Sequence, residues 1–419
     1  MRHLRASDTQ KGKNSIVSLY ISYWSLQDPL CQTQSLAYLL QLAARGHTFA
    51  LLTFEQPQYA LDPARAAAVK KELAEQGLYW YPLRYHKRFS LLATAFDWVC
   101  GVGAGIFLAL RHRARVVHSR ASIPAAMALA ISRLCGLKFL YDADSALSEE
   151  YADIGHWRRG GLAFQATAWF EGLARKSSDS IIVLTDQLRR DYIHKHNVQA
   201  PVAVIPCCVD VEKFRFDGKA REKRRRELGL TDEKLFIYVG KIGSWYLVDE
   251  TFEFFKVARE TVGAARLLVL TGDAPDAFHE VAGRCGLSHA DYDVRSASHA
   301  EVAEWLSASD VGLAFIRSVS SKRGSSPVKV GEYLATGLPV VITSGIGDYS
   351  ALIARENLGA VINSPTSAEY LDAAERLAAL WSEGACLGER CRAAAEENVS
   401  LEGVGAQRYQ AVYDELLQQ

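Results

Sequence analysis

The chain has 419 residues, 49% hydrophobic and 23% charged, as expected of a globular protein with room for two domains of ordinary size. Lysine plus arginine equals aspartate plus glutamate at 48 each, so no global field draws the chain to nucleic acid or to a membrane. The eight cysteines show neither metal-ligand spacing nor a disulfide framework, which points to a reducing compartment.

Residues 1–14 are expected to form a disordered tail, because Met1 to Lys13 is polar and basic and lacks the apolar core of a signal peptide. Beyond it the chain alternates strand-length apolar runs with helical periods. Strands are predicted at Ile16 to Ile21, Thr48 to Thr53, Tyr79 to Leu83, Val116 to Ser119, Leu137 to Asp142, Ser180 to Leu184 and Val202 to Ile205. Helices are predicted at Thr33 to Arg45, Pro63 to Gln76, Leu91 to Arg111, Ile123 to Cys135, Gly161 to Lys176 and Asp186 to His196. The apolar stretch after Trp98 falls short of the roughly 18 residues a membrane span needs, so a buried or interfacial helix is expected there. Arg84-Tyr-His-Lys-Arg88 makes a basic aromatic edge beside it, suited either to an acceptor carried on a membrane lipid or to a plain soluble loop.

Asp210 to Asp232 breaks the pattern with charge. Its run from Lys219 to Glu227 is read as a solvated connecting helix. The alternation then restarts with strands at Leu235 to Val239, Ala265 to Thr271, around Val294 and at Val311 to Ile316, and helices at Val248 to Val262, Asp276 to Cys285 and Ala300 to Ser307. After Pro365 the chain reads as purely helical. Two doubly wound α/β domains with a cleft between them is the economical architecture, and such sheets hold ligands at the carboxyl ends of their strands.

The stretch Ser325 to Asp348 carries the densest chemistry. A helix is predicted from Val328 to Thr336, with Pro327 before it, Lys329 and Glu332 in its first turns and Gly337 stopping it. A buried strand at Leu338 to Thr343 and a second glycine turn at Gly345 to Gly347 follow. Helix starts and glycine turns present free amides to phosphate, so a sugar nucleotide is the first ligand to consider.

Three blocks of the second half, Tyr238-Val-Gly-Lys-Ile-Gly243, Ala308-Ser-Asp-Val-Gly-Leu313 and Ser326-Pro-Val-Lys-Val-Gly-Glu-Tyr-Leu-Ala-Thr-Gly-Leu-Pro-Val340, resemble the carboxyl-terminal domain of glycosyltransferase family 4. Asp28-Pro-Leu-Cys-Gln-Thr-Gln34 and Val204-Ile-Pro-Cys-Cys-Val-Asp210 extend the resemblance to the first half. The resemblance implies the GT-B fold, two Rossmann-like domains facing across a cleft. Residues 15–206 would bind the acceptor, residues 207–399 the nucleotide sugar, and residues 400–419 would form a helix crossing back to the first domain.

It also implies roles. Glu332 matches the second glutamate of the family's E-x-seven-E motif, which binds the donor ribose, a good use of a carboxylate that accepts from two vicinal hydroxyls. The motif's first glutamate, which meets the transferred sugar, falls at Gly324, so that contact is absent or supplied by Ser325 and Ser326. Lys241, between Gly240 and Gly243, matches the family's phosphate-binding arginine. Lys329 and the first-turn amide of Val328 are placed to reach the same diphosphate. Cys31, His118 and Arg120 are assigned to the acceptor, and Asp142 and Asp144 to acceptor hydroxyls or proton removal. Glu171 and Arg175, one helical turn apart, are expected to pair as ions.

The implied reaction is retaining front-face transfer without a metal or other cofactor, from a UDP- or GDP-linked sugar to a glycan or lipid-linked oligosaccharide, as in bacterial surface polysaccharide assembly. The implied location is the cytoplasm, with peripheral contact at the inner leaflet. A nucleotide-sugar epimerase of the same architecture and a non-catalytic scaffold stay open at this point.

Overall fold

The computed structural model describes residues 17–86 and 91–418. The expected tail, and Lys87 and Arg88 of the basic aromatic edge, lie outside the described residues. Seven strands form one parallel sheet: β1 (Val17–Ser22), β2 (Thr48–Glu55), β3 (Leu78–Arg84), β4 (Val116–Arg120), β5 (Lys138–Ala143), β6 (Ser180–Val183) and β7 (Val202–Val204), in the order β3-β2-β1-β4-β5-β6-β7. Six form another: β8 (Lys234–Val239), β9 (Ala265–Leu270), β10 (Tyr292–Arg295), β11 (Val311–Ala314), β12 (Val340–Thr343) and β13 (Gly359–Ile362), in the order β10-β9-β8-β11-β12-β13. Each sheet reverses its winding once, between β1 and β4 and between β8 and β11, and at such a switch neighbouring connections diverge and leave a crevice.

The chain divides into two compact units, residues 1–119 with 123–140, and residues 120–122 with 141–419. In the second unit, buried apolar side chains pack both faces of the six-stranded sheet, Leu235, Ile237 and Leu268 on one and Phe236, Tyr238 and Leu267 on the other. This alternation follows from the two-residue period of a strand covered by helices on both sides.

Several expectations are corrected. The helix Leu91–His112 has 22 residues, and its span Leu92–His112 is long and apolar enough to cross a membrane by length and composition. Its packing accounts for the glycines: a Cβ at Gly101 would meet Met127 Sδ at 2.7 Å, and one at Gly105 would meet Ile131 Cδ1 at 2.4 Å. That face packs on the helix Ser122–Cys135 and, through Phe54 and Leu19, on β2 and β1, while Leu92, Phe96, Val99, Phe107 and Leu110 are exposed.

The charge run is not a solvated connector. In the helix Gly218–Glu227, Arg221 donates to the carbonyls of Ser307, Ala308 and Ser309, satisfying the end of the helix His299–Ala308. Arg224 is buried, ion-paired to Glu227, Glu301 and Glu304, with its guanidinium 4.5 Å from the Trp305 ring. Nor do Glu171 and Arg175 pair. Glu171 is buried and accepts from Ser122 Oγ (2.7 Å) and Ser148 Oγ (2.6 Å), and Arg175 lies over the Tyr192 ring. The helix Tyr349–Arg355 and strand β13 come before Pro365 and were not anticipated.

Candidate active site

The helix Val328–Ala335 has every residue from Lys329 to Ala335 buried. Gly337, at φ 85°, ends it in the left-handed conformation that glycine adopts without strain. The Tyr333 ring lies flat on β11, where a Cβ at Gly312 would overlap it at 2.3 Å. Tyr333 Oη accepts from the Val239 amide (3.0 Å), and Lys329 Nζ donates to the Val239 carbonyl (2.9 Å). At the switch point, the end of β8 is thus held by side chains of this helix.

Lys329 Nζ also lies 4.7 Å from the Tyr238 ring and 4.2 Å from the Tyr246 ring, a cation–π environment on two sides. Burial pushes its pKa down to about 7, opposed by Glu332. Its ammonium has three donors, and one is committed. A Cβ at Gly240 would come within 3.0 Å of that nitrogen, so glycine keeps the cation's place open. Glu332 is buried, and its carboxylate accepts no hydrogen bond among the described residues. Burial raises its pKa to about 7, against the pull of Lys213 and Lys329. A largely buried carboxylate that no protein group donates to, with its oxygens still reaching the surface, fits a group that meets a ligand.

Lys241 follows in the loop after β8, exposed and with no side-chain partner among the described residues. Gly243, at φ 80°, turns that loop back, so that Tyr246 pairs antiparallel with Ile316 beyond β11. The front of the helix is built differently. The Ser325 amide donates to the Lys322 carbonyl (3.1 Å), which also accepts from the Gly347 amide (3.0 Å), and Ser326 Oγ accepts from the Cys207 amide (3.1 Å). Val328 opens the helix behind Pro327. Gly324 is buried, and a Cβ there would meet Leu188 Cδ2 at 2.9 Å, so the position has no room for a glutamate side chain without movement of that leucine.

Arg120, Asp142 and Asp144 form a second cluster in the same unit. Asp142 is fully buried and takes 2.6 Å hydrogen bonds from Arg120 and from Tyr409 Oη. Arg120 lies 3.8 Å from Asp144. Burial drives Asp144 up to about 7 although Arg120 holds it back, and its Oδ1 has no partner among the described residues. Cys207 joins the clusters: its amide binds Ser326, and its thiol, pushed up to about 12 by burial, faces Arg120 and both aspartates. Cys31 and His118 lie in the other unit, both buried, His118 edge-on to the Tyr20 ring.

Residues 32–208 match the family described as glycosyl transferase 4-like domain, and residues 233–379 match glycosyl transferases group 1. The chain belongs to the group-1 glycosyltransferases. Among curated proteins none matches it by sequence. Solved structures share its GT-B fold at low identity. Sucrose-phosphate synthase from Thermosynechococcus elongatus is 15% identical with TM-score 0.75, covering 96% of this chain and 100% of that one. WaaG, a glycosyltransferase involved in lipopolysaccharide biosynthesis, is 19% identical with TM-score 0.68, covering 95% and 99%. Anabaena Alr3699/HepE, in complex with UDP-glucose, is 12% identical with TM-score 0.69, covering 95% and 100%.

In this glycosyltransferase the sequence reading missed the partners that set the site's electrostatics. Tyr238 and Tyr246 flank Lys329, and Lys213 acts on Glu332. Lys322, two residues before Gly324, is buried 3.9 Å from the Trp245 ring and ion-paired to Glu150 at 2.9 Å. The one available signal was aromatic: Tyr238, Trp245 and Tyr246 bracket the Gly-Lys-Ile-Gly turn at the end of a strand.

Proposed function

We propose that this glycosyltransferase transfers a sugar, with retention and without a metal, from a UDP- or GDP-linked donor to a glycan or lipid-linked oligosaccharide in bacterial surface polysaccharide assembly. The observation that carries the reading is the pair Lys329 and Glu332, a buried cation with donors to spare and a buried carboxylate with no donor, at the switch point of one sheet. Glu332 would accept from the two ribose hydroxyls, and Lys329 with Lys241 would meet the diphosphate. HepE with UDP-glucose supports the donor class, and WaaG the kind of pathway.

The chemistry asked of the protein is electrostatic. As the bond from the sugar to the diphosphate breaks, negative charge develops on the leaving oxygen, and fixed cations in a desolvated site stabilise it. The acceptor hydroxyl approaches on the same face and gives its proton to a donor phosphate oxygen, so no carboxylate pair of the glycosidase kind is needed. Asp144, with a free oxygen and a raised pKa, is suited to hold an acceptor hydroxyl.

We place the enzyme in the cytoplasm, peripheral on the inner leaflet. The exposed Val99, Phe107 and Leu110 share a helix whose last turn holds Arg111 and His112, with Arg113 and Arg115 just beyond, an apolar stripe with a basic end.

A thermal-shift screen of UDP- and GDP-sugars identifies the donor. NMR of the product's anomeric centre, run with and without EDTA, then tests retention and metal independence. An inverted product, or activity abolished by EDTA and restored by a divalent ion, would refute those two parts.

A further inference from the structure

The first unit carries a polar site that the donor chemistry does not use. Asp97, in the helix Leu91–His112, is buried. Its carboxylate nevertheless gathers three donors: Tyr23 Oη at 2.8 Å, the His86 amide at 3.1 Å and His86 Nδ1 at 2.7 Å. Tyr23 directly follows β1 and His86 lies two residues beyond β3, so both stand at the carboxyl end of the sheet, where open α/β sheets hold ligands. The His86 side chain is 41% exposed, while its partner is 1% exposed.

A carboxylate oxygen accepts, so Nδ1 carries the hydrogen, and in the neutral imidazole the other ring nitrogen, Nε2, is then the acceptor. It has no partner among the described residues. The ring is therefore fixed in direction by a buried group, and its neutral form offers one lone pair outward. Phe96, exposed, stands edge-on to the imidazole at 5.1 Å, and Tyr85 stands edge-on to Tyr23 at 5.1 Å.

We infer that His86, oriented by Asp97, is a positioning residue of the acceptor site that accepts a hydrogen bond from a sugar hydroxyl, with Phe96 packing on the sugar's C–H face. An anion is the poorer occupant beside the neutral ring, because the lone pair of Nε2 and the carboxylate behind the ring both oppose negative charge. A neutral hydroxyl donor suits both, and a pyranoside also supplies an apolar face for an aromatic ring. The inference rests on the glycosyltransferase reading only in calling the bound sugar an acceptor.

Saturation-transfer NMR on the full chain, with the methyl α- and β-glycosides of glucose, galactose and mannose and separately with UDP and GDP, tests it. At least one glycoside should bind the wild type. Binding should weaken about tenfold in His86→Ala, the scale of one hydrogen bond. It should weaken less in His86→Gln, whose carbonyl oxygen still accepts, and should fall in Phe96→Ala, a change of an exposed side chain that serves if His86→Ala fails to fold. Nucleotide signals should be the same in all variants. Absence of glycoside binding by the wild type, or equal binding by His86→Ala and Phe96→Ala, overturns the inference. Absence of any nucleotide signal would instead overturn the donor reading and leave the glycoside result to be read by itself.

Discussion

Binding of a nucleotide sugar should move protons in opposite directions on the two sides of pH 7. In the ligand-free protein Lys329 and Glu332 both titrate at about 7, each displaced by burial from ordinary values of 10.5 and 4.5. A diphosphate beside Lys329 restores its preference for the charged form. At pH 8.5 the free ammonium is mostly deprotonated, so binding takes up close to one proton (~0.9). Ribose hydroxyls donating to Glu332 favour its charged form too. At pH 5.5 the free carboxyl is mostly protonated, so binding releases a similar fraction (~0.9). A donor sugar's own phosphates are fully ionised over this range and add nothing. Calorimetry in two buffers of different ionisation enthalpy reads the proton count directly at each pH. Lys329→Met should lose the alkaline uptake and keep the acid release, and Glu332→Gln should do the reverse. Proton exchange of the same sign at both pH values, or none at either, would refute the placement of the two charges against the ligand.

The same displacement makes Glu332 a stability liability. Its folded pKa lies above the unfolded value, so the folded state loses stability as pH rises from 4.5 to about 7 and bears the full penalty above that. Glu332→Gln should stabilise the ligand-free protein by about 3 kcal/mol at pH 8, with no gain below pH ~4.5, in urea melts at the two pH values. Lys329→Ala and Lys241→Ala should each lower turnover by about two to four powers of ten under saturating donor; near-normal turnover in both would remove the phosphate assignment. Arg120→Ala leaves the buried Asp142 carboxylate without its paired cation and should destabilise the fold by about 3–5 kcal/mol in the same melts. Val99→Glu with Phe107→Glu should abolish co-sedimentation with anionic lipid vesicles while leaving the thermal response to nucleotide unchanged; unaltered sedimentation would dismiss the helix as a membrane contact.

What was legible in the sequence is what local chemistry dictates. Pro327 and Gly337 bracket the helix Val328–Ala335, and the residues between them read correctly as its body. Where a segment is short, period fails as a signal. Strand β13 has four residues, Gly359–Ile362, and its glycine at φ 150° sits where a Cβ would meet the Val340 carbonyl oxygen at 2.0 Å, a constraint imposed wholly by the neighbouring strand. The run from Lys219 to Glu227 misled for the opposite reason. Its charges look solvated until the carbonyls at the end of the helix His299–Ala308 appear beside them, more than 80 residues away. Lys329 is the same case within the site. Its spacing from Glu332 was readable, but the two tyrosine rings and the Val239 carbonyl that define its environment lie about 90 residues earlier in the chain.

That long-range burial explains why a helix with seven consecutive buried residues contains a lysine and a glutamate at all. Apolar residues at 329 and 332 would remove two desolvation penalties, so stability alone disfavours the pair. A charge kept where it weakens the fold needs a reason outside the fold, and under the proposed function a bound diphosphate and ribose would supply one for each sign. The contrast with Asp142 makes the point from within the same unit. That carboxylate is more deeply buried than Glu332, yet Arg120 and Tyr409 donate to it, and it holds its own strand end together. Glu332 has the burial without the donors, and Lys329 has three donors with one acceptor. The deficit on each is of the sign that the opposite end of a nucleotide sugar would fill.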